Sequence, residues 1–325
     1  MKRRSLVMVL GLAGHWPALL NAQQGRQYLI GIMETISPER NAANFEGLRR
    51  GLREHGYVEG KNLRIEYRSA DGHPERFPDM ARELVNLRVD LIVTRGTPAA
   101  RAAKGATSRI PIVMAAIGEP LGVGVIESLA RPGENVTGLS AFVTELAGKR
   151  IELLKKLIPT IASVGAMLNM GNTVSPPQWE ATQAAAKTLG LSAELFDVRN
   201  AQQIADVFNR FRERKPDALS IGIDAVTQAS AAQIVASAAE HRLPTAYPAR
   251  EFVDVGGLIS YGPSYPDLYF RAAGMIDKII RGARPADMPV EQPTKLELVI
   301  NVKTAGVLKM AIPPSVLAHA NDVIE

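Results

Sequence analysis

Thr97 stands between Gly96 and Pro98, shortly after the apolar run Leu91–Val93. Gly96 can turn the chain sharply. Thr97 is a good helix N-cap, and Pro98 fits the first helical position, where no N–H is needed. The stretch therefore predicts a strand, a tight turn and a helix start, with the helix continuing over Ala99–Ala106. A hydroxyl beside the unpaired N–H groups of a helix start can hold an anion such as a carboxylate. Capping alone is the competing role. Glu119, in Ile117-Gly118-Glu119-Pro120, and Asp224, after Ile223, stand at similar positions. Either could pair with a ligand ammonium, since a buried ammonium needs a paired charge. Either could instead only favour a helix start; Asp224 would then be the N-cap of a helix over Val226–Arg242.

Other residues at the ends of apolar runs complete the candidate set. Glu34 and Thr35 follow Gln27–Met33, and Gly118 stands beside Glu119 after Ile110–Ala116. Asn169 is a turn residue first and a ligand residue second. Tyr247 is either core with its hydroxyl satisfied or a ring lining a pocket. Glu251 is either half of a surface pair with Arg250 or a further ligand contact. Trp179 is expected to pack its own helix.

The usual catalytic signatures are missing. There is no G-x-S-x-G and no G-x-x-x-x-G-K-[ST], so neither a hydrolase nucleophile elbow nor an ATP phosphate loop is expected. Gly122-Val123-Gly124 begins like a dinucleotide fingerprint but ends in Glu127. The five histidines are scattered, none at metal spacing, and no cysteine occurs. Disulfides, thiolate zinc and a catalytic cysteine are excluded. No carboxylate pair suits acid–base work, and no cofactor or metal is expected.

These residues need elements to carry them. Apolar strand-like runs alternate with amphipathic stretches. Gln27–Met33 reads as a strand, followed by a helix with Phe45, Leu48 and Leu52 on one face. Leu63–Ser69 alternates like a strand, and a helix follows Pro78. Ile110–Ala116 is a further strand, with Val125–Ala130 as a short helix beyond it. Arg131–Ala141 reads as a pause. Thr144 can cap a long helix, after which a second α/β series begins. This alternation predicts doubly wound parallel sheets. In such a sheet the candidate residues share the carboxyl edge, and two facing lobes bring both edges to one cleft. The length of chain after Gly262 implies recrossing between lobes near Ala141, Gly262 and Gln292.

Of the 325 residues, 46% are hydrophobic and 5% aromatic. This suits two sizeable cores and does not favour base stacking on nucleic acid. Met1–Ala22 has a basic start, the short apolar run Leu6–Gly14 and a small-residue exit, the order of a cleavable export signal. Its removal takes Lys2, Arg3 and Arg4 and no acid, so the formal charge falls from +5 to +2. No later segment reaches membrane-spanning length, and a periplasmic product without stable membrane insertion is expected.

The chain resembles bacterial ABC-transporter substrate-binding proteins of the branch that includes tryptophan-binding members. The likeness is carried by "GLRRGLREHGYVEGKNLRIEYRSADG", "LIVTRGTPAARAAKGATSRIPIV", "LARPGENVTGLS", "KRIELLKKLIP", "YPAREFVDVGGLISYG" and "QPTKLELVINVKTAGVL", in order along nearly the whole chain. Where many relatives carry Asn-Pro after the first strand of the second lobe, this chain has Leu168-Asn169-Met170-Gly171-Asn172. The resemblance implies a type I periplasmic-binding-protein fold, two doubly wound parallel-sheet lobes joined by a multi-strand hinge. The expected division is 27–142 with 264–292 for one lobe and 143–263 with 293–325 for the other. It also implies an ABC permease with its ATPase as partners, a small-molecule ligand such as an amino acid or another small carboxylate, and a monomer. An exported α/β enzyme and a ligand-sensing partner of a receptor are the alternative readings.

Overall fold

The computed structural model describes residues 26–325; the expected export segment lies outside them. The first series runs β1 (Tyr28–Glu34), α1 (Ala42–Glu54), β2 (Leu63–Ser69), α2 (Phe77–Asn86), β3 (Leu91–Arg95), α3 (Thr97–Ala106), β4 (Ile112–Ile117) and β5 (Val136–Ser140). The second begins with α4 (Val143–Leu157), β6 (Ser163–Leu168), α5 (Ser175–Thr188), β7 (Ser192–Asp197) and α6 (Ala201–Arg210). It continues with β8 (Ala218–Ile221), α7 (Ala225–Ala229), α8 (Ala231–Glu240), β9 (Thr245–Tyr247), α9 (Arg250–Asp254) and β10 (Ile259–Pro263). The chain closes with α10 (Tyr265–Ile280), β11 (Leu296–Asn301), α11 (Val302–Val307), α12 (Pro314–Leu317) and β12 (Asp322–Ile324).

The first sheet has the order β2-β1-β3-β4-β5 and is wholly parallel. The second has the order β12-β11-β10-β9-β8-β6-β7, antiparallel only between β10 and β11. These are two doubly wound α/β lobes, as expected. Their apolar strands are covered on both faces; every residue of β3 and β4 is buried.

Helix α10 follows the second series yet packs on α1 of the first lobe. Two glycines permit this. A Cβ on Gly47 would lie 2.5 Å from the Pro266 carbonyl oxygen, and one on Gly51 2.6 Å from that of Phe270. The chain passes between lobes three times: from β5 to α4, from β10 to α10, and from α10 to β11. Backbone hydrogen bonds tie the passages together: Ser140 N to Glu291 O (2.8 Å), Glu291 N to Gly138 O (2.9 Å) and Ser264 N to Lys295 O (3.0 Å).

Four expectations are corrected. The pause at Arg131–Ala141 contains β5, whose Gly138 (φ 145°) lies against the Met114 backbone. Val125–Ala130 is not helical; tight turns around Gly124 and Pro132 instead anchor the buried Val125 and Ile126. The helix expected over Val226–Arg242 is two, α7 and α8, divided at Ser230. The residue capping α3 is Gly96 (φ 82°), so Thr97 opens the helix and caps nothing.

Candidate functional site: the interlobe cleft

Strand order reverses around β1 and β3 in one lobe and around β6 and β8 in the other. Ligands of open α/β sheets bind at such switch points, outside the carboxyl ends of the strands. A small cavity lies there, between the two lobes. The first lobe lines it with Thr35, Arg95, Gly96, Thr97, Pro98, Ala116 and Gly118. Asn172, Val174, Ile223, Asp224, Ala225 and Gln228 line it from the second, and Ala141, Val143 and Tyr265 from the passages between. Its wall is thus largely apolar, with a few polar groups.

Thr97 is buried, and its Oγ1 has no hydrogen-bond partner. An orphaned buried hydroxyl costs about 1–3 kcal/mol, which a ligand acceptor or donor would recover. The first amides of α3 likewise lack partners within the helix. Asp224, from the other lobe, is held on several sides. It accepts hydrogen bonds from Val226 N (2.8 Å), Asn169 Nδ2 (3.0 Å) and Asn172 Nδ2 (2.8 Å). Thr227 completes a capping box with it. Asp224 therefore caps α7 and also presents a fixed carboxylate to the cavity. A second, more open space of about 350 Å³ shares Thr97, Asn172 and Asp224 and reaches Asn169 and Arg101.

The lobes touch closely around the cavity. A Cβ on Gly118 would lie 2.7 Å from Val174 Cγ2 and 2.9 Å from Val143 Cγ2. Thr35 Oγ1 donates to Gln228 Oε1 across the cleft (2.8 Å). Arg95, fully buried, donates to Asn41 Oδ1 (2.9 Å) and to Glu251 Oε1 (2.5 Å). Its guanidinium lies 4.6 Å from the centre of the Tyr265 ring. Glu251 also accepts from Asn44 Nδ2 (2.8 Å) and Gln228 Nε2 (3.1 Å). Burial alone would lower the Arg95 pKa, but Glu251, Tyr269 and Glu34 together hold it above the ordinary arginine value.

Of the sequence-predicted residues, Thr35, Gly96, Thr97, Gly118 and Asp224 come together in the cavity wall, and Asn169 and Glu251 support it from behind. The other three do neither. Glu34 is buried beyond it, accepting from the Tyr269 hydroxyl; desolvation pushes its carboxyl up to about 7. Glu119 is half-buried, its pKa raised by burial. Tyr247 is core: its ring stacks on Phe252 at 5.2 Å. Sequence reasoning missed Arg95, Asn172, Gln228 and Tyr265. Arg95 carried a signal, because an arginine at the end of a strand begun by Leu91-Ile92-Val93 is drawn into the core and must find a charge partner.

Two doubly wound lobes, tied by three passages and facing across a lined cavity, define a clamshell binding protein. The chain belongs to the family of ABC transporter substrate binding proteins, which it matches over residues 29–324. It is 27% identical over 286 residues to a tyrosine-binding protein of Clostridioides difficile, covering 88% of this chain and 82% of that one. A Streptococcus pneumonia structure in complex with L-Trp is 32% identical with a TM-score of 0.84, over 92% of this chain and all of that one. A ligand-free, open substrate binding protein from Clostridium difficile is 26% identical with a TM-score of 0.66, over 92% of this chain and 99% of that one. The chain superposes more closely on the tryptophan-bound relative than on the open one.

Proposed function

We propose that the chain is exported, captures a zwitterionic amino acid with an aromatic or large apolar side chain between its lobes, and delivers it to an ABC importer. The observation that carries this reading is the placing of the orphaned Thr97 hydroxyl at the start of α3 opposite the Asp224 carboxylate of the other lobe, in a largely apolar cavity. The helix start suits a ligand carboxylate, since amides and dipole both favour an anion. Asp224 suits the ammonium. Val143, Val174 and Tyr265 suit the side chain. The names of the tyrosine-binding and tryptophan-bound relatives support an aromatic amino acid. Sheet membership and the packing of α10 on α1 support lobes of 27–142 with 264–292 and 143–263 with 293–325.

Calorimetry with L-tryptophan, L-tyrosine, L-leucine and L-glutamate tests the ligand class. The aromatic pair is expected to bind tightest and L-glutamate not to bind. Thr97→Ala removes one charge-assisted hydrogen bond, about 1.5–3 kcal/mol, or roughly a 10- to 150-fold loss of affinity. Failure of every zwitterion to bind, or an unchanged affinity in Thr97→Ala, would refute the reading. Intact-mass measurement of periplasmic protein tests export: loss of a segment close to Met1–Ala22 is expected.

A further inference from the structure

Arg95 and Glu34 close adjacent parallel strands, β3 and β1, one step past the paired residues Met33 and Thr94. Their Cα atoms therefore stand about one strand spacing apart and their side chains leave the same face. Both are buried. Yet no ion pair joins them: Arg95 gives its strong bond to Glu251, which comes from α9 of the other lobe. Glu34 is left with the Tyr269 hydroxyl and a long contact from Thr35 N (3.4 Å). The groups facing it are Arg95 on β3, Tyr67 on β2, Tyr269 on α10 and the more distant Glu251.

Opening the clamshell would take Glu251, Gln228 and their bonds to Asn44, Arg95 and Thr35 away together. The guanidinium would stay behind in the first lobe, with Glu34 as its neighbouring carboxylate. We propose that closure exchanges the counter-ion of Arg95, from Glu34 in the open protein to Glu251 in the closed one, so that Glu34 takes up a proton as ligand is captured. Arg95 is thus a positioning residue of the closing movement, and this role rests on the interlobe capture proposed above. The proton comes from solvent and goes to a Glu34 carboxylate oxygen; on release it returns.

The sign follows directly. Burial holds Glu34 at about 7 in the closed form, whereas an Arg95 free of Glu251 lowers it in the open form. The closed form then binds more protons, so affinity falls as pH rises through 7. One proton gives about a tenfold weakening between pH 6 and pH 8. Calorimetry with L-tryptophan and L-tyrosine, in buffers of different ionisation enthalpy, reads both affinity and proton uptake. Wild type is expected to take up a proton. Glu34→Gln is expected to bind with a flat pH profile and no uptake, with its melting temperature recorded beside it. Glu251→Gln is expected to lose the uptake too, because Arg95 then keeps Glu34. Absence of uptake in wild type, or its persistence in Glu34→Gln, overturns the proposal. If neither amino acid binds, the ligand reading fails separately. The decision then passes to ligand-free protein carrying spin labels at Arg82→Cys and Gln202→Cys, both exposed in a chain without cysteine. A closed population that grows from pH 8 to pH 6 in wild type but not in Glu34→Gln supports the exchange; pH-independent distances in wild type overturn it.

Discussion

Arg95 and Arg150 are equally buried, each 2% exposed, one on the first lobe and one on the second. Arg95 reaches across the cleft to a carboxylate and, on its own side, meets an amide oxygen and an aromatic face. Arg150, on α4, has a long hydrogen bond to the Tyr261 carbonyl (3.3 Å) and an Nε without a partner. Among the described residues it makes no ion pair. Desolvation consequently pushes its pKa down to about 10, while that of Arg95 is raised. The difference teaches where the fold invests in pairing. A charge on the boundary between the lobes is matched by a carboxylate across it. A charge inside one lobe is left with a carbonyl and carries an uncompensated desolvation cost.

The contrast breaks most severely at Glu251. Glu251→Ala leaves Arg95 buried without its closing partner and also releases Asn44 and Gln228. Glu251 is 22% exposed, so we discount the figure for a fully buried pair and expect about 2 kcal/mol, roughly a 30-fold loss of affinity. The melting temperature of the ligand-free protein should change little, because the pair forms only across closed lobes. A large fall in melting with intact affinity would make the pair a structural brace instead.

Gly118→Ala sharpens the same comparison without touching charge. The added methyl would meet Val143 and Val174 at under 3 Å, and both valines are buried, leaving little room to yield. Overpacking of this kind costs about 1 kcal/mol or more, so affinity should fall roughly fivefold while the open protein folds normally. Unchanged affinity would mean that capture does not bring these surfaces together.

Much of the fold was legible because its strands are apolar runs and its helices amphipathic: β3 and α1 show this in Leu91–Val93 and in Phe45, Leu48 and Leu52. β5 was not legible. Val136-Thr137-Gly138-Leu139-Ser140 has polar residues and a glycine, and pairing with β4 and Glu291 supplies what local propensity lacks. The cavity wall was legible where a residue's place at a strand end decides whether it lines the cavity, as for Thr35, Thr97 and Asp224. It was illegible where long-range packing decides. Tyr247 stands at a strand end like the others, yet its ring stacks on Phe252 in the core. Arg95 stands in the very stretch that suggested the site, but its significance depends on Glu251, distant in sequence.

The smallest effect is expected at Arg150, and its smallness is informative. Arg150→Met keeps a long flexible side chain and removes a buried cation. It sacrifices one weak hydrogen bond, worth about 1 kcal/mol at most at 3.3 Å. Against this stands the desolvation of a guanidinium with no carboxylate beside it. Replacing buried ionic groups by apolar ones of similar volume is often neutral or stabilising. The melting temperature should therefore equal or exceed that of wild type. Ligand affinity should not move, because Arg150 does not line the cavity. A clear drop in melting temperature would mean that Arg150 does have a counter-charge in the folded protein. A drop in affinity with normal melting would assign it to the closing movement beside Arg95, through Tyr265, which lies near both arginines.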